Sequence, residues 1–405
     1  MARSHTLRSL RHRDYRLYYI GQLVSLHGTR MQLVAQAWLV YRLTESSLML
    51  GLVSAAAMLP SLVLGLLGGV LADRLHRQRL LILAQAVAMV QALALGILTL
   101  SGAVEAWHVM ALALALGAVQ AIEIPVRYSF IAGLVPRDDL PNAVALNSSM
   151  FHLARFVAPP IAGVLVALVG EGAVFVLNAF TFMAVIGALA AIRTSDEDAR
   201  AGRSAGPKRL RDGLTYAWND QTIRGALSIV AVLSVLGSSA AVLMPVFAAD
   251  VFRAGPGSLG LLLGALGVGA LGGALRLAQR RSSAGLGTII VNAATAAGLV
   301  VVVFAFVPSL WLALLVLPLA GFTITTAMAS SNALIQLTVP DALRGRVMSL
   351  YSVSLHGMMP LGALAVGASA EWFGAAATVA ASGVLLVGAV LLVGPVLRRA
   401  ERARS

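Results

Sequence analysis

The sequence predicts an all-α membrane protein of twelve transmembrane helices, arranged as two pseudo-symmetric six-helix bundles. Three observations predict it. The chain is 59% hydrophobic and only 12% charged, against about 25% charged in soluble domains, so folding alone cannot hide its apolar surface from water. Twelve apolar runs are each long enough to cross a bilayer. The second half of the chain repeats the first at a fixed offset.

A spanning helix requires roughly 20 mainly apolar residues. Such runs occupy 17–42, 48–71, 79–101, 107–131, 142–169, 172–192, 223–249, 257–276, 286–307, 310–335, 343–370 and 373–396. Helix is the expected form, because a lipid-exposed backbone must satisfy its own hydrogen bonds. The runs are too long and too rich in Leu and Ala for barrel strands. The first run follows Arg3, Arg8, Arg11, Arg13 and Arg16. It is longer and more polar than a cleaved signal peptide, so a retained helix is predicted.

The net charge is +13 and there is no cysteine. The second fact excludes disulfides and Cys-based metal sites. The first is explained by topology. All but four of the 30 Lys and Arg fall in the two tails, in the loops after even-numbered runs, or at the adjoining helix ends. The exceptions are Arg42 and Arg253 in the opposite loops and Arg30 and Arg155 inside runs. This asymmetry places both termini in the cytoplasm of a multi-pass protein of the inner (plasma) membrane. It leaves no charge that calls for nucleic acid.

The stretch 193–222 is the one linker, with Ser195-Asp196-Glu197-Asp198 followed by Arg203, Lys208, Arg209 and Arg211. It divides the chain into an N-terminal bundle, 1–192, and a C-terminal bundle, 223–405. Its end, Asp212 to Trp218, suggests a short interfacial helix. Shifting the sequence by 204 residues superposes Gly65, Gly68 and Gly69 on Gly269, Gly272 and Gly273, and Arg77 on Arg281. Trp107 falls on Trp311, Val135-Pro136 on Val339-Pro340, His152 on His356, and Gly170 on Gly374. Glycines alone could match by chance in such a chain; Trp, His, Arg and Val-Pro at one offset point to two halves related by an axis along the membrane normal.

The loop after the second run reads Gly69-Val70-Leu71-Ala72-Asp73-Arg74-Leu75-His76-Arg77-Gln78-Arg79. It resembles the Gly-x-x-x-Asp-Arg-x-Gly-Arg-Arg signature of the major facilitator superfamily, with His76 for the usual Gly and Gln78 between the basic residues. The resemblance implies a cytoplasmic latch built on Gly69, Asp73, Arg74, Arg77 and Arg79. Leu277 stands at the repeat position of Asp73, so one copy of the latch is complete. Asp14-Tyr15-Arg16, Gly21-Gln22, Trp38-Leu39-Val40-Tyr41 and Leu243-Met244-Pro245-Val246-Phe247 extend the match. They are similar to the branch that contains the enterobactin exporter and related drug-efflux proteins. Arg30 departs from it, where an aromatic residue is expected.

Polar groups inside a bilayer are costly and mark functional positions. Gln22, Ser25, Thr29, Gln32 and Gln36 are spaced 3, 4, 3 and 4 apart, on one helix face. In the family the first helix lines the central pathway, so a substrate cavity is favoured over helix-packing contacts. Glu123 is the one acidic residue well inside the runs, with Arg127 one turn on. The two form a candidate local pair or a proton-coupling site. Arg30 and Arg155 suggest a substrate with an anionic or strongly polar group, unless Glu123 neutralises Arg30. Asn332 and His356 are the second half's candidates for the cavity lining, although His152 and His356 also suit helix–helix hydrogen bonds.

No nucleotide-binding Gly-x-x-x-x-Gly-Lys-Ser/Thr loop, nucleophile elbow or zinc-ligand spacing is present. No enzyme, cofactor or metal is therefore expected. The resemblance implies proton-coupled export of a small molecule, drug or siderophore-like, by a monomer working through alternating access. The alternatives are a lipid or lysolipid flippase and a non-transporting sensor or assembly protein.

Overall fold

The computed structural model describes residues 5–192, 208–280 and 285–402, with side chains at all of these except 5–6, 65–74, 208–212, 342 and 402. Among the described residues the chain is helical, with no strand. A 3-10 helix, His5–Arg11, precedes α1, Arg13–Thr44. Then come α2, Ser47–Arg74; α3, Arg77–Leu100; and α4, Ala106–Leu134. The next helical stretch, Leu140–Ala191, is 52 residues long and breaks at Gly170, giving α5 (140–169) and α6 (171–191). A linker helix, Lys208–Asn219, follows where the sequence suggests one. After it come α7, Gln221–Val251; α8, Pro256–Ala278; α9, Leu286–Ala305; and α10, Leu310–Thr338. The last two are α11 (341–373) and α12, Ala375–Arg402.

Among the described residues, ten helical stretches are long and apolar enough to cross a membrane. Leu140–Ala191 counts once among them but contains two helices, and α1 falls outside them. That helix is 32 residues long, and Arg13, Asp14, Arg16, Arg30, Arg42 and the polar stripe lower its hydropathy. Twelve helices result, as the sequence predicts. Many large apolar side chains lie bare on the outside, among them Leu392 at 80%, Leu315 at 71% and Leu168 at 74% exposure. Such a surface belongs in lipid. Trp107 and Trp311 lie exposed at the starts of α4 and α10, as aromatics at a membrane interface do.

The repeat is visible in the backbone. Helix α4 follows Glu105, and α10 follows Ser309, the repeat-related residue; both N-caps are extended. Both helices stop at a repeat-related Val in extended conformation, Val135 and Val339, each followed by Pro. Some irregularities are not shared. A π-helical turn, Val353–Gly357, interrupts α11 just before Pro360. Another, Phe247–Val251, ends α7 two residues after Pro245.

Contacts divide the chain into two compact units. One holds Met1–Leu43 and Leu59–Ser204; the other holds Thr44–Met58 and Ala205–Ser405. In the first, the 3-10 helix docks on the start of α5. The Ser9 backbone N–H donates to Asn142 Oδ1 at 3.0 Å, and Ser9 Oγ donates to the Asp139 carbonyl at 3.0 Å. Gln78, a departure from the family signature, closes the end of α6 by donating to the Leu189 and Ile192 carbonyls at 2.6 and 2.9 Å. In the second unit, Glu371 accepts from Ser46 Oγ and the Leu48 backbone N–H, both at 3.0 Å, and so caps α2. Here α8 and α10 cross closely. A Cβ on Gly321 would stand 1.9 Å from the Leu266 carbonyl oxygen, a distance only glycine avoids.

Candidate functional site

The first unit encloses a cavity of about 120 Å³ between α1, α3, α4, α5 and α6. That is room for several waters or for one polar group the size of a carboxylate or phosphate. Helix α1 supplies Gln22, Ser25, Thr29 and Arg30; α3 supplies Gln85; α4 supplies Gln120, Glu123 and Arg127. Helical spacing explains the grouping. Gln22, Ser25 and Thr29 share one face of α1, and Gln120, Glu123 and Arg127 share one face of α4.

Glu123 and Arg127 form the charged core of this cavity. Arg127 Nη1 donates to Glu123 Oε1 at 3.2 Å, and both side chains are almost wholly buried, Arg127 at 6% and Glu123 at 7% exposure. Gln85 Nε2 donates to the same Glu123 oxygen at 3.4 Å. The Arg127 guanidinium lies 4.6 Å from the centre of the Phe151 ring, within cation–π range. Glu123 is the only acidic residue among those lining the cavity.

Arg30 is not paired with Glu123. Among the described residues neither Arg30 nor Arg155 has a hydrogen-bond or ion-pair partner. The guanidiniums of Arg155 and Arg127 are within electrostatic reach of Arg30. Arg155 lies one helical turn past Phe151 on α5 and is exposed.

The C-terminal half of the α1 stripe is placed differently. Gln32 is fully buried and does not line the cavity. Its Nε2 donates to Gln91 Oε1 at 3.0 Å, and its Oε1 accepts from Asn178 Nδ2 at 2.6 Å. It therefore ties α1 to α3 and α6. Gln36 is also buried away from the cavity. Asn332 and His356 belong to the second unit. Asn332 accepts a hydrogen bond from Gln336, and His356 sits in the π-helical turn. Of the latch residues, Gly69, Asp73 and Arg74 have side chains outside the described residues. Arg77 donates to the Ser129 carbonyl at 3.4 Å, and Arg79 is exposed.

Gln85 and Gln120 are cavity residues that the sequence reading passes over. Both are polar side chains within apolar runs, the same signal that singles out α1. Arg42 is another. Its Nε donates to Glu171 Oε1 at 2.8 Å and its Nη2 to Oε2 at 3.4 Å, a two-pronged pair at the end of α1.

Comparison with known proteins agrees with this architecture. The family model for transmembrane secretion effectors matches residues 4–404. The multidrug efflux pump Tap of Mycolicibacterium fortuitum is 28% identical over 400 residues, covering 96% of this chain and 97% of that protein. The enterobactin exporter EntS of Shigella boydii is 24% identical over 389 residues, covering 94% and 91%. Among solved structures, a bacterial homologue of the iron transporter ferroportin in its inward-facing state matches with a TM-score of 0.71. It is 18% identical and covers 96% of this chain and 98% of its own. At that identity the likeness is one of fold.

Proposed function

Since the chain belongs to the transmembrane secretion effectors of the major facilitator superfamily and is an efflux transporter of the inner membrane, we propose that it exports a small molecule by alternating access, in exchange for protons carried by Glu123. The observation that carries this reading is the buried Glu123–Arg127 pair in a cavity that has no other acid among its described lining residues. With Glu123 ionised, the pair is neutral and Arg127 is held. A proton on Glu123 removes half of the pair, adds one positive charge to the cavity and releases Arg127. One proton thus changes both the charge and the geometry of the site, and a change in the relative stability of two states is what a coupled carrier requires.

Outward transport is supported by relatives named a multidrug efflux pump and an enterobactin exporter. Cytoplasmic termini are supported by the distribution of Lys and Arg. Gln22, Ser25 and Thr29 contribute hydrogen-bonding groups that orient the substrate. Gln32 has its amide groups engaged within the first unit and serves its packing.

Inverted membrane vesicles test the reading. With a pH gradient imposed, vesicles carrying the protein should accumulate at least one dye from a panel of anionic and cationic compounds, above vesicles without it. Nigericin, which collapses the pH gradient, should abolish the difference. Accumulation indifferent to nigericin would contradict proton coupling.

A further inference from the structure

We propose that Arg30 forms an anion-recognition site in this cavity, assisted by Arg155 one helical turn past the lining residue Phe151, and that the site takes a carboxylate or phosphate group of the transported molecule. The assignment rests on the transport reading above and names the substrate class. It starts from the charge balance. Glu123 is matched by Arg127, whose guanidinium also faces Phe151. Arg30 lines the same cavity, and among the described residues it has no acidic partner. The carboxylate of Glu123 in the same lining is taken up by Arg127, and Arg155 adds a further positive charge near Arg30. Arg155 is likewise unpartnered among the described residues.

Like charges gathered in a partly apolar recess are unfavourable without a counter-ion, and a guanidinium binds carboxylate or phosphate through paired N–H groups. The cavity, about 120 Å³ in volume, holds such a group and not a whole drug-sized molecule, so it reads one end of its ligand. Gln22, Ser25, Gln85 and Gln120 stand around it to complete the hydrogen bonding. A cation has no comparable partner here, since the only lining carboxylate is already paired.

The test uses fluorescein and rhodamine 123, which share a ring system and carry opposite charge. Binding is measured by fluorescence anisotropy on the purified full chain in phosphatidylcholine nanodiscs, with size-exclusion profiles to verify folding. The wild type should bind fluorescein in preference to rhodamine 123. Arg30→Gln and Arg155→Gln should weaken fluorescein about tenfold or more, Arg30→Lys should retain part of the affinity, and rhodamine binding should not fall. Preference for rhodamine 123, no fluorescein binding, or a preference unchanged in both Gln variants would overturn the assignment. Nanodiscs containing phosphatidylglycerol separate the two sources of such a group. Displacement of fluorescein by that lipid would assign the site to a lipid headgroup and overturn the small-molecule assignment. Dye movement that ignores a pH gradient, with the fluorescein preference intact, would count against proton coupling and leave this assignment standing.

Discussion

Gly170 and Gly374 occupy equivalent places in the two halves and adopt nearly the same backbone conformation, φ 79° and ψ 168° in one, φ 82° and ψ 157° in the other. This region is open to glycine and closed to other residues at a cost of about 1–3 kcal/mol. Each glycine breaks the chain between the fifth and sixth helix of its half. Nothing lies within 4 Å of a Cβ built on either one, so a substitution there strains only the backbone. Gly170→Ala and Gly374→Ala should each lower stability by about 1–3 kcal/mol. Thermal unfolding in detergent checks this, and the two shifts should be similar. A silent Gly374→Ala beside a damaging Gly170→Ala would break the equivalence.

Gln32 and Thr29 separate packing from transport on a single helix face. Gln32 hydrogen-bonds Gln91 and Asn178 in a fully buried setting. Gln32→Ala should reduce stability by about 1 kcal/mol, the scale of buried interhelical hydrogen bonds in membranes. Thr29 lines the cavity and donates within its own helix, to the Ser25 carbonyl at 3.0 Å. Thr29→Ala should leave the unfolding midpoint within error and change substrate affinity. Thermal unfolding and dye binding, measured on both variants, give the four numbers needed.

The docking of the N-terminal 3-10 helix should depend on acid pH. Asp139 accepts a hydrogen bond from His12 Nε2 at 2.7 Å and pairs with Arg8 Nε at 2.8 Å. The His12 hydrogen bond first, then the nearby charges of Arg8 and Arg11, hold its carboxyl below the ordinary aspartate range. A carboxyl with a depressed folded-state pKa contributes fully above its unfolded value, about 3.9, and loses that contribution as pH falls through the folded value. Protection of the Ser9 amide, which bonds Asn142, should therefore be flat from about pH 8 to 5 and decline below about pH 4. Amide exchange, corrected for intrinsic rate, measures it. Asp139→Asn should weaken protection above pH 5 and flatten the decline, whereas a decline between pH 8 and 6 in the wild type would place the titration elsewhere.

The sequence carries most of the fold because bilayer physics makes spans and breaks legible. The apolar runs mark the helices, and the fixed offset marks Gly170 and Gly374 as one feature. The site is legible only in part. Spacing puts Gln22, Ser25, Thr29, Gln32 and Gln36 on one face, but a face has depth as well as direction. Gln91 and Asn178 close its C-terminal half, and that closure depends on which helices cross at that level. Gln85 and Gln120 carry the same signal as the α1 stripe, and what unites them with Glu123 is tertiary. The grouping of Thr44–Met58 with the second unit arises from packing between segments remote in sequence.

Proton movement driven by substrate tests the role of Glu123 most directly. Full-length protein is reconstituted in lightly buffered liposomes, a fluorescein gradient is imposed, and a pH electrode follows the external medium. With the wild type the gradient should drive protons in the opposite direction. With Glu123→Gln the signal should fall to that of empty liposomes, while exchange of labelled for unlabelled fluorescein continues. Equal proton movement in wild type and Glu123→Gln would contradict the account.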